Sequence, residues 1–116
     1  MSESDLVRDV VAYITMTGGV PTRVNSGFRV LEDAQGKQRV FRGAEKGTSD
    51  IIACIGGRYV AIECKIEPNK PTQAQLDFLE RVRSSGGVGI VAYSLDDVMC
   101  LCTQIEHDVS MKVSPL

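Results

Sequence analysis

Residues 50–66 read Asp-Ile-Ile-Ala-Cys-Ile-Gly-Gly-Arg-Tyr-Val-Ala-Ile-Glu-Cys-Lys-Ile, and this stretch decides the fold. Two mainly apolar runs flank Gly56-Gly57. A pair of glycines between such runs is typical of a two-residue β-hairpin turn. The sequence therefore predicts two antiparallel strands, over 50–55 and 58–66.

The predicted hairpin fixes which residues lie opposite each other. With the two glycines as the loop, counting outward along both strands pairs Asp50 with Glu63. Directly opposed residues project from the same face, with Cβ atoms about 4.5–5.5 Å apart. Side chains alternate along a strand, so Lys65 lies on that face too. The other face carries the apolar residues Ile51, Ala53, Ile55, Val60 and Ile62.

Two opposed carboxylates and an amine form a chemically suggestive group. Carboxylate oxygens suit Mg²⁺ or Mn²⁺, and a neighbouring ammonium can stabilise charge that develops on phosphorus. The alternative is a surface strand on which Lys65 pairs with an acid, an interaction of about 0.5 kcal/mol. Like charges directly opposed in an apolar strand are costly, which favours the metal interpretation.

The rest of the chain predicts an α/β domain with a mixed central sheet flanked by helices. A helix links the second strand of the hairpin to the buried run at 88–93, and this crossover favours parallel pairing. The predicted order is α-β-β-β-β-α-β-α. Its elements are helix 4–16, strands 28–31 and 39–41 around a polar turn, strands 50–55 and 58–66, helix 72–85, strand 88–93 and helix 95–105.

Composition narrows the function classes. The chain has 116 residues, with 13 Lys and Arg against 15 Asp and Glu, a formal net charge of −2. This balance excludes a polybasic protein that binds nucleic acid mainly through bulk charge. A nucleic-acid partner must be held by a local basic surface or through metal ions. The length predicts a single domain over 1–116.

Location and cysteine chemistry follow from the same composition. No apolar run approaches the length of a membrane span, and the acidic beginning lacks the features of a secretory signal. We therefore expect a cytoplasmic protein with no membrane partner. The four cysteines include no Cys-x-x-Cys pair and His107 is the single histidine, so the sequence predicts buried thiols rather than a zinc site.

The ordered motifs resemble the PD-(D/E)xK nuclease superfamily and, within it, the VRR-NUC family in its stand-alone bacterial and phage form. The resemblance covers most of the chain, and one departure is Ser49 where the superfamily name has proline. The motifs are Gly47-Thr48-Ser49-Asp50, Ile62-Glu63-Cys64-Lys65 after a gap of twelve residues, Gln75, Glu3 at the first helix, the Arg-x-Asn-x-Gly segment at 23–27 and the helix that ends in Gly86-Gly87.

The resemblance implies a restriction-endonuclease-like core and metal-dependent phosphodiester hydrolysis. Asp50 and Glu63 would hold Mg²⁺ or Mn²⁺, and the carbonyl of Cys64 would add a backbone ligand. Lys65 would position the attacking water. Glu3 would assist, as a ligand to a second ion or through water, and the number of ions is left open. From the pattern alone, the more usual interpretation of Glu3 is an acid in the first turn that favours the helix dipole.

Gln75 has two interpretations. In Thr72-Gln73-Ala74-Gln75 it fits the last position of a capping box at the start of a helix. It also shares a helical stripe with Leu79 and Val82 that leans toward the sheet. The resemblance implies that Gln75 lies beside the active site, and it favours a role in that site.

The implied substrate is DNA. Basic residues surround the predicted hairpin and its connector, and we expect them to contact a phosphate backbone, although a solvated hairpin is their more usual role. The resemblance implies a homodimer acting on branched DNA such as four-way (Holliday) junctions in a bacterial or phage-infected cell. The alternatives are a non-catalytic nucleic-acid-binding module on the same scaffold and a small-molecule hydrolase. The candidate DNA-binding residues are Arg23, Asn25, Lys37, Arg39, Arg42 and Lys46.

Overall fold

The computed structural model describes residues 1–24 and 28–112. Within these ranges the chain forms three helices and six strands. They are α1 (Glu3–Met16), β1 (Val20–Arg23), β2 (Phe28–Glu32), β3 (Gln38–Arg42), β4 (Ile51–Ile55), β5 (Arg58–Cys64), α2 (Gln73–Ser84), β6 (Val88–Ala92) and α3 (Leu95–Lys112).

The main sheet is mixed, as predicted. Its strand order is β1-β4-β5-β6, and the β2–β3 pair forms a separate two-stranded sheet. The pairs β1–β4 and β4–β5 are antiparallel, whereas β5 and β6 are parallel. The predicted α/β class is therefore confirmed, and the crossover through α2 produces the parallel pair.

The predicted hairpin register is confirmed. Ile55 pairs with Arg58 at the turn, and Ile51 pairs with Ile62 at the far end. Asp50 lies one residue before β4, and Lys65 lies one residue after β5. Both strands are therefore slightly shorter than predicted, and the charged residues lie where the sheet ends.

Two elements differ from the prediction, one by its presence and one by its length. β1 is an additional strand that pairs with β4, and it was missed because it is short, largely exposed and contains Pro21. An edge strand tolerates proline and need not alternate. α3 continues to Lys112 rather than ending at 105, because Val109 extends its apolar stripe and packs against the core.

The two faces of the main sheet are covered differently. α1 and α3 pack on the face that carries the predicted apolar residues, and every one of these five is buried. α2 packs on the opposite face, where Leu79 and Val82 cover Ala61. Burying one such large aliphatic side chain stabilises the fold by about 1.5–3 kcal/mol. The site face of the sheet is thus partly covered by a single helix.

The molecule is elongated. Its Cα extents are 64 × 30 × 28 Å and its radius of gyration is 16.4 Å, against about 13 Å for a compact chain of this length. In the described part of the chain, β2 and β3 make their extensive contacts only with each other. Among the helices described, none has both the length and the apolar composition needed to cross a bilayer.

Candidate active site

The Asp50 carboxylate closes the open end of the β4–β5 ladder. Its Oδ2 accepts a hydrogen bond from the backbone N–H of Cys64 at 2.9 Å. The next N–H, that of Lys65, donates to the carbonyl of Ala92 on β6 at 2.9 Å. Successive peptide groups of a strand point to opposite sides, so the N–H and the carbonyl of Cys64 both face the Asp50 side. The structure therefore places the predicted backbone ligand at the same edge as Asp50.

Glu63 is the buried acid of the site. Its side chain lies under α2, and the residue is only 1% exposed. Its Oε1 accepts a hydrogen bond from Nε2 of Gln75 at 3.1 Å and lies 3.9 Å from Nζ of Lys65. Its Oε2 is buried and has no hydrogen-bond partner among the described residues. Buried carboxylate oxygens are normally hydrogen-bonded, so an unpaired one is unusual and calls for an explanation.

The surroundings of Glu63 disfavour its charged form. Burial, with the negative charge of Asp50 as the next cause, raises the pKa of the Glu63 carboxyl to about 8. The ammonium of Lys65 opposes this shift but does not cancel it. A further positive charge at the unpaired Oε2 would stabilise the ionised form.

A divalent cation fits this donor set. The carboxylates of Asp50 and Glu63 and the carbonyl of Cys64 are hard oxygen donors, which Mg²⁺ and Mn²⁺ prefer. Among the described residues, no three His, Cys, Asp or Glu side chains are arranged to hold a metal ion. The candidate centre therefore rests on two carboxylates and a backbone oxygen, a set typical of Mg²⁺, which keeps several water ligands.

Lys65 lies between two carboxylates. Its Nζ is 3.9 Å from Oε1 of Glu63 and 3.8 Å from Oε1 of Glu3, and its side chain is 12% exposed. These distances exceed those of hydrogen bonds, so the contacts are ion pairs. The ion pair with Lys65 thereby brings Glu3, the first residue of α1, to the same place as Glu63.

Gln75 makes the contacts of a helix cap and also contacts Glu63. Its Oε1 accepts from the N–H of Thr72 at 2.8 Å, and its own N–H donates to Oγ1 of Thr72 at 3.2 Å. This is the capping box of α2. The other end of the amide donates to Glu63. The helix cap therefore orients the side chain that holds the buried acid.

The loop before Asp50 is held against the first turn of α2. Gly47 has φ of +92°, and a Cβ there would lie 2.6 Å from the carbonyl oxygen of Ala74. Ser49 is fully buried, and its hydroxyl donates to the carbonyl of Ile51 at 3.0 Å. The Gly-Thr-Ser-Asp motif therefore gives the close approach that brings Asp50 and Gln75 to one place.

Asn69 is a residue of the site that the sequence analysis missed. It lies in the loop between β5 and α2, and its Nδ2 donates to Oε2 of Glu3 at 2.9 Å. The two residues are 66 positions apart. No local pattern distinguishes Asn69 from an ordinary loop residue, because only tertiary contact brings Glu3 to it.

Arg23 is the candidate DNA-binding residue that the structure places at the site. It pairs with Ile51, one residue from Asp50. A cavity of about 250 Å³ opens there, between the start of α1 and the end of β1. Its lining residues are Glu3, Ser4, Val7, Arg23, Val24 and Asp50.

The other candidate DNA-binding residues lie elsewhere. Lys37 and Arg39 are exposed on the β2–β3 hairpin, where Nε of Arg39 pairs with Oδ2 of Asp33 at 3.3 Å. Lys46 is exposed in the connector to β4. Arg42 is the last residue of β3, and only its backbone position is described. Asn25 lies outside the described residues.

The four cysteines are free thiols, and the prediction that they are buried is right for Cys64 and Cys102 but wrong for Cys54 and Cys100, which are exposed. Burial, followed by the negative charges of Asp50, Glu63 and Glu3, raises the pKa of the Cys64 thiol to about 12. A thiol nucleophile needs a lowered pKa. Cys64 therefore contributes its backbone to the site and not its sulfur.

The fold is similar to that of a solved structure. A solved structure described as a VRR_NUC domain is similar to this chain with a TM-score of 0.59 and 24% sequence identity. The similarity covers 92% of this chain and 98% of that structure. No family model matches the sequence, and no curated protein does. The predicted resemblance is therefore confirmed at the level of the fold, along nearly the whole chain.

Proposed function

We propose that this chain, which has the fold of a VRR_NUC domain, is a metal-dependent endonuclease that hydrolyses DNA phosphodiester bonds. The observation that carries the proposal is the unpaired Oε2 of Glu63, buried beside Asp50 and Lys65. A cation at Oε2 would stabilise the ionised form of this carboxyl, and a strand end bearing two acids and an amine suits phosphoryl chemistry.

The proposed metal ligands are Asp50, Glu63 and the carbonyl of Cys64. When bound, Mg²⁺ or Mn²⁺ would neutralise charge on the phosphate and lower the pKa of a bound water. The amide of Gln75 keeps the Glu63 carboxylate in one orientation through its bond to Oε1. That bond leaves Oε2 as the oxygen available to the cation.

Lys65 is the proposed positioning group for the attacking water. Its ammonium has three donors, and the two neighbouring carboxylates lie 3.8 and 3.9 Å away. It can therefore donate a hydrogen bond to a water or to a phosphate oxygen, while the two carboxylates compensate its positive charge. Glu3 supports it from the start of α1, where its carboxylate would also serve as a ligand if a second ion is bound.

The proposed substrate is branched DNA such as a four-way junction, cut by a homodimer. A domain of 116 residues has little surface for reading a long sequence. Paired cuts across a junction need two active sites related by a two-fold axis, which a homodimer supplies. Because the net charge is −2, phosphate contacts would come from local basic residues, with Arg23 nearest the site. The four free cysteines are consistent with the proposed cytoplasmic location.

Cleavage of labelled four-way junction, flap and linear duplex DNA with Mg²⁺ or Mn²⁺ tests the proposal. We expect wild-type protein to cut the branched substrates, and Asp50→Ala and Lys65→Ala to be inactive while remaining folded. Asp77→Ala is the matched control, because Asp77 is an exposed acid of α2 that bonds Gln73. Variants at Asp50 and Lys65 that cut as well as wild type would show that the assignment is wrong.

Two further outcomes separate the alternatives. Metal-independent binding of junction DNA by a wild-type protein that cuts none of the substrates would support the non-catalytic module. Hydrolysis of a small chromogenic phosphodiester without cleavage of any DNA would support a small-molecule hydrolase.

A further inference from the structure

We propose that Asn69 is a positioning residue that anchors Glu3, so that Glu3 and Glu63 hold the Lys65 ammonium from two sides. This inference rests on the proposed function, because it concerns the group that positions the attacking water. Asn69 itself would touch neither the metal nor the DNA.

The contacts form a continuous chain. Nδ2 of Asn69 donates to Oε2 of Glu3 at 2.9 Å. The other oxygen of that carboxylate, Oε1, lies 3.8 Å from Nζ of Lys65. Nζ in turn lies 3.9 Å from Oε1 of Glu63. The two oxygens of Glu3 thus serve different partners, so fixing one oxygen fixes where the other points.

The backbone holds Asn69 at a set distance from Lys65. The N–H of Asn69 donates to the carbonyl of Ile66 at 2.9 Å, which closes a turn directly after Lys65. Glu3 arrives from α1, and its side chain is 37% exposed. A half-exposed glutamate has several rotamers to choose from, and restricting them costs free energy. A charge-assisted bond from an anchored amide is the interaction that restricts them here.

The anchor matters because two ion pairs set the position of the Lys65 ammonium. The carboxylates of Glu3 and Glu63, at 3.8 and 3.9 Å, both attract Nζ, and neither contact is short enough to be a hydrogen bond. A mobile Glu3 would leave Lys65 paired with Glu63 alone, and the position of Nζ would be less well defined. We expect this to slow the chemical step and to leave DNA binding nearly unchanged.

Steady-state cleavage by Asn69→Ala is the first measurement. We expect kcat to fall about tenfold, with KM within about twofold of wild type. Gln73→Ala is a matched control, because Nε2 of Gln73 bonds Oδ1 of Asp77 at 2.8 Å, an exposed amide–carboxylate bond of nearly the same length. Its kcat should not change. A fall in both variants, or a rise in KM alone for Asn69→Ala, would overturn the proposal.

A double-mutant cycle separates a positioning role from an independent one. If Asn69 acts through Glu3, adding Asn69→Ala to Glu3→Gln should lower kcat no further than Glu3→Gln alone. Losses that multiply would show that Asn69 acts by another route, and the proposal would fall.

A donor–acceptor exchange separates positioning from stability. Glu3→Gln combined with Asn69→Asp can restore a hydrogen bond between the two positions but leaves no negative charge at position 3 facing Lys65. We expect this double variant to regain the Tm of wild type and to keep the low kcat of Glu3→Gln. Recovery of kcat together with Tm would mean that Asn69 is merely structural.

DNA cleavage and urea unfolding of the same variants together distinguish failure of this inference from failure of the proposed function. Wild-type protein that cuts no DNA would end the proposed function, and with it the catalytic meaning of the anchor. Active wild-type protein with additive effects of Glu3→Gln and Asn69→Ala, in both kcat and unfolding, would overturn the anchor alone.

Discussion

The hairpin β4–β5 lies in the middle of the main sheet, whereas the hairpin β2–β3 forms a two-stranded sheet of its own. The strands of the first are largely buried between helices. The described side chains of the second, from Leu31 to Val40, are mostly exposed. The two hairpins have the same antiparallel pairing, so the difference between them lies in what surrounds them.

The pKa values of one carboxyl in each hairpin are shifted in opposite directions. Burial and the nearby Asp50 raise the pKa of Glu63 in the first hairpin to about 8. In the turn of the second hairpin, the backbone N–H of Lys37 and then the guanidinium of Arg39 lower the pKa of Asp33. An exposed acid finds donors and water locally, but a buried acid depends on whatever the tertiary structure or a ligand supplies. We therefore expect chemistry at the first hairpin and surface contacts at the second.

Replacing one carboxyl in each hairpin should give the largest difference in cleavage rate between the two hairpins. Glu63→Gln removes a proposed metal ligand while keeping the volume, and we expect single-turnover cleavage to fall by about 10²–10³-fold or more. Asp33→Asn should leave the rate unchanged at saturating DNA. Equal rates for wild type and Glu63→Gln would show that this buried acid has no part in the reaction.

Metal-free stability should respond to pH in opposite directions in the two hairpins. The surroundings of the Glu63 carboxyl raise its pKa from an ordinary value of 4.5 to about 8 in the folded protein. The folded state therefore holds the extra proton, and stability falls as pH rises from about 4.5 to 8, by at most about 1.4 kcal/mol per pH unit. In EDTA, the free energy of unfolding of Glu63→Gln, measured in urea, should not show this pH dependence. At pH 8 the variant should be more stable than wild type.

The lowered pKa of Asp33 gives the opposite sign. Its contribution is present above its ordinary pKa and is lost as pH falls below that range. Asp33→Asn should therefore differ from wild type near neutral pH and converge with it in acid. If both variants have the same pH profile as wild type, the contrast between the hairpins is wrong.

Glycines with positive φ offer a smaller test of how tightly each region packs. Gly47→Ala puts a Cβ 2.6 Å from the carbonyl oxygen of Ala74, in addition to the strain of a left-handed backbone. We expect it to lower the free energy of unfolding by about 3 kcal/mol. Gly36→Ala, in the turn between β2 and β3, meets nothing nearer than 3.5 Å and should cost about 1 kcal/mol. Urea denaturation measures both, and equal losses would argue against the packing of the Gly47 loop on α2.

The salt dependence of DNA affinity tests whether both hairpins contact DNA, and we expect it to show the smallest of these effects. Arg23→Ala at the site and Arg39→Ala on the second hairpin should each reduce the magnitude of the slope of log K against log salt by about one. Arg58→Ala is the control, because Arg58 lies at the opposite end of β5 and pairs with Asp108 at 4.0 Å. An unchanged slope for Arg39→Ala would remove the second hairpin from the DNA interface.

The sequence predicted most of what lies close together along the chain. The glycine turn predicted the register of β4 and β5, and strand alternation predicted that Lys65 lies beside Glu63. The capping pattern identified the start of α2 and thus Gln75. β1 was missed because a four-residue strand with one proline shows no periodicity, and its strand character comes from pairing with β4.

The sequence by itself determined the cluster of Asp50, Glu63 and Lys65, because a two-residue turn and the alternation of a strand are fixed by the covalent chain over a few residues. Only the tertiary structure decided that Glu63 is buried and short of a partner, because that depends on how α2 packs over the sheet. It alone also joined Glu3 to Asn69. Contacts between distant segments form only when the core is assembled, and no local pattern encodes them.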